Sequence, residues 1–196
     1  MRLNDLIKKT FPNDGIYESI VGTNGISKNL SPIGIVKTEN RLIMKLYKNT
    51  DTIKNLAIYP FCSVNIVHDP QLFYLTLIGK EIDYKIKYGL PSLNGVTIYC
   101  KCEKELEGNP SVFTLNPFDY EISDNTITAF NRGSALFIDS LVHFTRLDIV
   151  SEEIKEEIIP IILYEIEISR KTSPWLIQYL EEIDKIVRSK RYKLDQ

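Results

Sequence analysis

KLYKNTDTIKNL, Lys45 to Leu56, follows on the strand-like run RLIMKLY (Arg41–Tyr47) and crowds two threonines, two asparagines and three lysines into one turn. Thr50 and Thr52 offer hydroxyls, Asn55 an amide, and Lys45 and Lys48 positive charge, with Asn49 at the bend between them. A helical turn opening at Asp51 would add backbone N–H groups that have no partner inside the helix. Several donors converging beside a cation are what a phosphate requires. On this segment alone a solvated turn with a helix cap is the simpler reading, with Asp51 turned away from any anion.

The preceding segment changes the balance. TNGISKNLSPIGI, Thr23 to Ile35, reads as a hairpin whose returning strand opens Asn29-Leu30-Ser31-Pro32-Ile33-Gly34. Pro32 removes one backbone N–H and Gly34 allows close approach to the main chain. A flat heteroaromatic ring with polar edges could rest against such a strand. A phosphate turn and a ring-bearing strand together describe flavin mononucleotide (FMN) better than either does alone. GxGxxG and GxxxxGK[ST] are both absent from the sequence, so nothing supports the glycine-loop nucleotide folds.

Outward from this corner the first two-thirds of the chain read as β. IYESIVGT (Ile16–Thr23), PIGIVKT (Pro32–Thr38), RLIMKLY, CSVNIVHD (Cys62–Asp69), FYLTLIG (Phe73–Gly79), VTIYCKCE (Val96–Glu103) and YEISDNTITAF (Tyr120–Phe130) are strand-like runs. Turn chemistry separates them: TNGISKN, TEN, HDP, SLNG, EGNP and NPFD. After about Asn131 the period changes. Leu136, Ile138, Leu141, Val142 and Phe144 form a broad apolar set for one helix. Ser151 with Glu152 and Glu153 opens a second, with Ile154, Ile158, Ile161 and Ile162 on one face and Pro160 as a kink. Ser173-Pro174 opens a third, carrying Leu176, Leu180, Ile183 and Val187. The expected fold is mainly β with α: an antiparallel barrel over residues 1–130, then a three-helix appendage over residues 131–196.

The 196 residues carry a net charge of −2, which offers no global attraction to nucleic acid or to acidic membranes. MRLNDLIKKTF is too polar for a signal peptide, and IIPIILY (Ile158–Tyr164) is too short to cross a bilayer. Cys62, Cys100 and Cys102 form no closed disulfide set, so a reducing cytoplasm is expected. Cys100 and Cys102 share a strand face, but with only His68 and His143 beside them no metal is expected.

The order Glu18, Thr23, Asn29-x-Ser31-Pro32-Ile33-Gly34, Lys45-x-Tyr47-Lys48-x-Thr50-x-Thr52-x-x-Asn55, His68-Asp69-Pro70 and Asn131-Arg132 resembles the flavin-binding split barrels, which include flavin reductases and pyridoxamine-phosphate oxidase relatives. Within them it is most similar to the largely archaeal domain-of-unknown-function 447 family. Asn49 stands where that family often has glycine, and Asp51 departs from its pattern. The resemblance implies an antiparallel split barrel that holds FMN in an extended pose at the interface of a homodimer. It assigns cofactor contacts to Thr23, Asn29, Ser31, Pro32, Ile33, Gly34, Lys45, Lys48, Asn49, Thr50, Thr52 and Asn55, and to Arg132 near the phosphate.

Arg132, Asp139, His143 and Arg146 share one helix face, which reads first as a charged outer stripe. His68, before Asp69-Pro70, reads as a turn residue and Trp175 as a packing anchor. Spacing yields neither a nucleophile–base–acid set nor a carboxylate pair, so any chemistry would be the flavin's. The expectation is a redox-active flavoprotein. Its alternatives are a carrier or sensor without turnover, or a module for another phosphorylated ligand or a deazaflavin.

Overall fold

The computed structural model describes residues 1–39, 41–123 and 127–194. The chain divides into two compact units, one of Met1–Asn13 and Tyr17–Phe130, the other of Asp14–Ile16 and Asn131–Gln196.

The first unit is built on a closed antiparallel barrel. Its strands are β1 (Gly15–Thr23), β2 (Asn29–Thr38), β3 (Arg41–Leu46), β4 (Phe61–Ile66), β7 (Val96–Leu106) and β8 (Ser111–Ile122), in the order β1-β2-β3-β8-β7-β4, with β4 returning to β1. β5 (Lys85–Lys87) and β6 (Leu90–Ser92) form a separate hairpin around Tyr88-Gly89, both at positive φ. Buried side chains recur at every second position: Leu42, Met44 and Leu46; Cys62, Val64 and Ile66; Val96, Ile98, Cys100 and Cys102. That period fills the inside of a small barrel. Cys62 and Cys102 approach to 3.2 Å between sulfurs, and all three cysteines are free thiols.

Several departures from the sequence reading fall in this unit. Phe73–Gly79, expected as a strand, lies mostly within helix α3 (Pro70–Leu77), following α1 (Leu3–Thr10) and α2 (Asp51–Ile58) in chain order. The HDP segment is a helix start: the Asp69 carboxylate accepts the Gln71 N–H at 2.8 Å, and Pro70 occupies the first turn. Leu72 and Phe73 then pack against the cluster of Ile20, Val67 and Leu93, which outweighs the β-propensity of the run. NPFD, expected as a turn, lies inside β8. Tyr99 pairs with Asp119 and Cys100 with Pro117, so Phe118 is the extra residue of a bulge, where Pro117 needs no N–H. α1 was not anticipated at all. Of the expected strand Tyr120–Phe130, the part up to Ile122 closes β8, and positions 124–126, like Asn40 of TEN, lie outside the described residues.

The second unit holds α4 (Arg132–Phe144), α5 (Glu152–Thr172), a 3-10 turn at Pro174–Leu176 and α6 (Ile177–Leu194). Its core is Leu147, Ile159, Ile162, Ile166, Leu180 and Val187, with Phe137, Phe144, Ile158, Leu176 and Ile183 against it. Ile154, Ile161, Ile138 and Val142, expected inside, are exposed, because the inward stripes run through Ile158-Ile159-Ile162-Ile166 and through Phe137 and Phe144. Ser151 holds the N-cap position of α5 without a cap bond; its hydroxyl lies against the Glu153 carboxylate instead. Asn131 caps α4 and ties the unit together. Its oxygen accepts from Ser134 N–H at 2.8 Å and the Ser173 hydroxyl at 2.6 Å, while its amide donates to the Ile16 and Thr172 carbonyls at 2.8 and 2.9 Å. A Cβ on Gly133 would stand 2.1 Å from Thr172 Oγ1 and 3.2 Å from Ser169 Cα, so glycine sets how closely α4 meets α5. Among the described residues no helix is long and apolar enough to cross a membrane.

Candidate functional site

The ladder between β2 and β3 runs from Thr38–Arg41 to Ile35–Met44 and stops there. Beyond Ile35–Met44 the two strands run on without paired residues, β2 past Gly34, Ile33 and Pro32 and β3 to Leu46. The gap is a groove of about 370 Å³, with Ser31, Pro32, Ile33 and Gly34 on one wall. Lys45, Leu46 and Tyr47 form the other, Thr50 and Thr52 close one end, and Thr76 and Leu77 of α3 add a further side.

The end wall is the start of α2. Asn49 bends the chain into it at φ +68, a left-handed conformation that asparagine tolerates better than most residues. Thr50 caps the helix: its oxygen accepts the Ile53 N–H at 3.4 Å and its hydroxyl donates to the Tyr47 carbonyl at 3.1 Å. Asp51 turns to Lys54, 3.0 Å away. The N–H groups of Asp51 and Thr52 keep the unpaired status of any first helical turn.

Asn29 sets the chemistry of the groove. Its amide nitrogen donates to Ser31 Oγ at 2.9 Å and to Thr52 Oγ1 at 3.2 Å. A hydroxyl oxygen that already accepts keeps its own proton to donate elsewhere. One asparagine thereby leaves two O–H donors for the groove, beside the Lys45 ammonium and the positive end of α2.

Asn55 and Thr23 are brought together away from the groove wall. The Asn55 amide donates to Thr23 Oγ1 at 3.1 Å and to the Ser27 carbonyl at 2.7 Å, and its oxygen accepts the Ile26 and Ser27 N–H groups at 2.9 and 3.4 Å. Its side chain is 1% exposed and fully engaged, pinning the β1–β2 loop to α2. Gly25 completes the pin, because a Cβ there would stand 2.7 Å from the Asn55 carbonyl oxygen. Lys48 is outside the groove lining, and its N–H donates to Asn109 Oδ1 at 3.0 Å. Arg132 is the first residue of α4 in the second unit, and Asn131 beside it is the hub of that unit. Thr76 and Leu77 were missed because α3 was read as a strand. Asp69-Pro70 was the signal that would have found them. The Thr76 hydroxyl is spent on the Leu72 carbonyl at 2.7 Å, so it is wall and not donor.

The six strands thus form a closed antiparallel barrel, with the groove beside the unpaired stretch of β2 and β3. The chain belongs to the family described as protein of unknown function (DUF447), whose N-terminal domain model matches residues 17–124 and whose companion model matches residues 131–185. An FMN-bound protein of Methanosarcina mazei with the same family model is 23% identical, covers 91% of this chain and 96% of its own, and superposes with a TM-score of 0.53. An NADH:FAD oxidoreductase of Streptomyces globisporus is 12% identical over 59% of this chain and 81% of its own, with a TM-score of 0.49. A flavoredoxin of Methanosarcina acetivorans is 16% identical over 56% and 69%, with a TM-score of 0.47. At 23% identity the likeness to the Methanosarcina mazei protein is one of fold. No curated protein matches the sequence.

Proposed function

We propose that the groove binds FMN and that the protein is a homodimeric flavoprotein of redox metabolism. The observation that carries this reading is the Asn29 fork: it donates to Ser31 Oγ and Thr52 Oγ1, so that each of these two lining residues keeps a hydroxyl proton to give, beside Lys45 and the start of α2. The residues present fit the group. A doubly charged phosphate ester would take these two hydroxyls, the Asp51 and Thr52 N–H groups and the Lys45 charge. The ring would lie along Ser31 to Gly34. The Ile33 carbonyl is engaged by Ser19 of β1 at 2.9 Å. Strand alternation then turns the Pro32 carbonyl and the Gly34 amide to the opposite edge, where a ring edge could meet them. A volume of about 370 Å³ is within the range of cofactor clefts. The FMN-bound relative from Methanosarcina mazei supports the choice of cofactor.

Tyr47 and Leu77 flank the groove at 64% and 71% exposure. Apolar walls left this open favour a second copy of the chain covering the ring. Bound flavin supplies hydride and single-electron chemistry; the chain's part is to hold the phosphate, orient the ring and exclude water.

The test is a spectral titration of flavin-free protein with FMN. Thr52→Val combined with Lys45→Ala removes a hydroxyl and a charge at about 1.5–3 kcal/mol each, so affinity is expected to fall by two to four orders of magnitude. Unchanged affinity, or a protein that stays colourless with FMN, would overturn the reading. Anaerobic NADH or NADPH that bleaches the bound flavin at a catalytic rate supports turnover, whereas an inert spectrum favours a carrier. Light scattering reads the dimer directly.

A further inference from the structure

The second unit contains a polar cluster that the flavin reading does not use. Asp139 and His143 stand one turn apart on α4, and Glu165 faces them from α5. His143 Nε2 lies 3.9 Å from Asp139 Oδ2 and 3.9 Å from Glu165 Oε1, and the three groups each bring a ligand atom within 4.8 Å of the others. These distances are too long for hydrogen bonds. They exceed the ligand–ligand edge, about 3.4 Å, of a tetrahedral ion with ligands at about 2.1 Å, so a bound ion would draw the three side chains inward.

Glu165 makes the cluster unusual. It is 5% exposed, and its Oε2 is buried with no hydrogen-bond partner, as is Nδ1 of His143. Among the described residues no lysine or arginine forms an ion pair with either carboxylate. A buried carboxylate beside a second carboxylate is costly unless a proton or a positive charge joins them. A metal ion is one positive charge small enough to enter such a gap. The close contact of the two helices at Gly133, where the Ser169 hydroxyl donates to the Gly133 carbonyl at 2.8 Å, braces the ligands from opposite sides.

We propose that Asp139, His143 and Glu165 bind a divalent first-row transition cation, of the zinc or manganese kind, which clamps α4 to α5. One imidazole and two carboxylates suit these ions better than magnesium or calcium, which favour oxygen ligands alone. Water completes the coordination, as in other sites with three protein ligands. The site stands independently of the FMN groove.

The experiment is metal analysis and calorimetric titration of the full chain after chelation, with ZnCl2, MnCl2 and MgCl2, alongside thermal unfolding. One zinc or manganese ion per chain is expected. At a free ion concentration about a hundredfold above Kd, Tm is expected to rise by about 5–10 °C, with no response to the same concentration of magnesium. Glu165→Gln should abolish binding and, without metal, leave Tm equal to or above that of the parent, because a buried charge has gone. Asp139→Asn, at an exposed position, should weaken binding at least tenfold and serves if the first variant does not fold. Failure to bind zinc or manganese, or binding that persists in these variants, would overturn the site.

Discussion

The two ends of α2 use the same residue types to opposite effect. At the inner face, Asn55 spends every polar atom of its side chain on Thr23, Ile26 and Ser27. At the N-terminal end, Asn29 donates to Ser31 and Thr52 and leaves their hydroxyl protons over. Both corners are amide–hydroxyl clusters between one eight-residue helix and the adjoining ends of β1 and β2. The saturated cluster holds the fold, and the unsaturated one has capacity for a ligand. The direction of a hydrogen bond, not the identity of the residue, separates structural from binding roles here.

That division can be broken at several points. Asn55→Ala should be the most damaging, with a loss of about 3–4 kcal/mol in urea unfolding, because four hydrogen bonds vanish where water cannot replace them. A loss under about 1 kcal/mol would mean that the pin is dispensable. Asn29→Asp should act on binding instead. A carboxylate accepts where the amide donated, so both hydroxyl protons turn back onto residue 29 and a negative charge joins the groove. FMN affinity should fall at least a hundredfold, about 3 kcal/mol, while Tm stays near the parent value. Equal affinity for the two proteins would refute the donor-direction account. Lys48→Ala should cost less than threefold in affinity, since Lys48 is not part of the groove lining; a loss as large as that of Lys45→Ala would place Lys48 at the phosphate. Asn49→Gly should be smallest, a gain of about 0.5 kcal/mol in stability from relief at φ +68, with unchanged affinity.

Local chemistry was legible in the sequence. The donor-rich turn after β3, the helix opening at Asp51 and three C-terminal helices all follow from short-range rules. What failed had competing local readings. Phe73-Tyr74-Leu75-Thr76-Leu77 has strand propensity, but Asp69-Pro70 and the packing of Leu72 and Phe73 make it helical. Pro117 reads as a turn until β7 lies beside it and a bulge absorbs Phe118. In α5 a one-position rotation decides that Ile159 is buried and Ile161 is not.

By itself the sequence determined which groups exist: hydroxyls, amides and ammoniums near Thr52, and an acid and a histidine one turn apart at Asp139 and His143. Only the tertiary structure decided which of them are spent and which are left over. Asn55 finds Thr23 across 32 positions, and Glu165 reaches His143 from another helix. A hydrogen bond or a ligand shell is completed by whatever the fold brings within about 3 Å, and that neighbour is seldom adjacent in the chain.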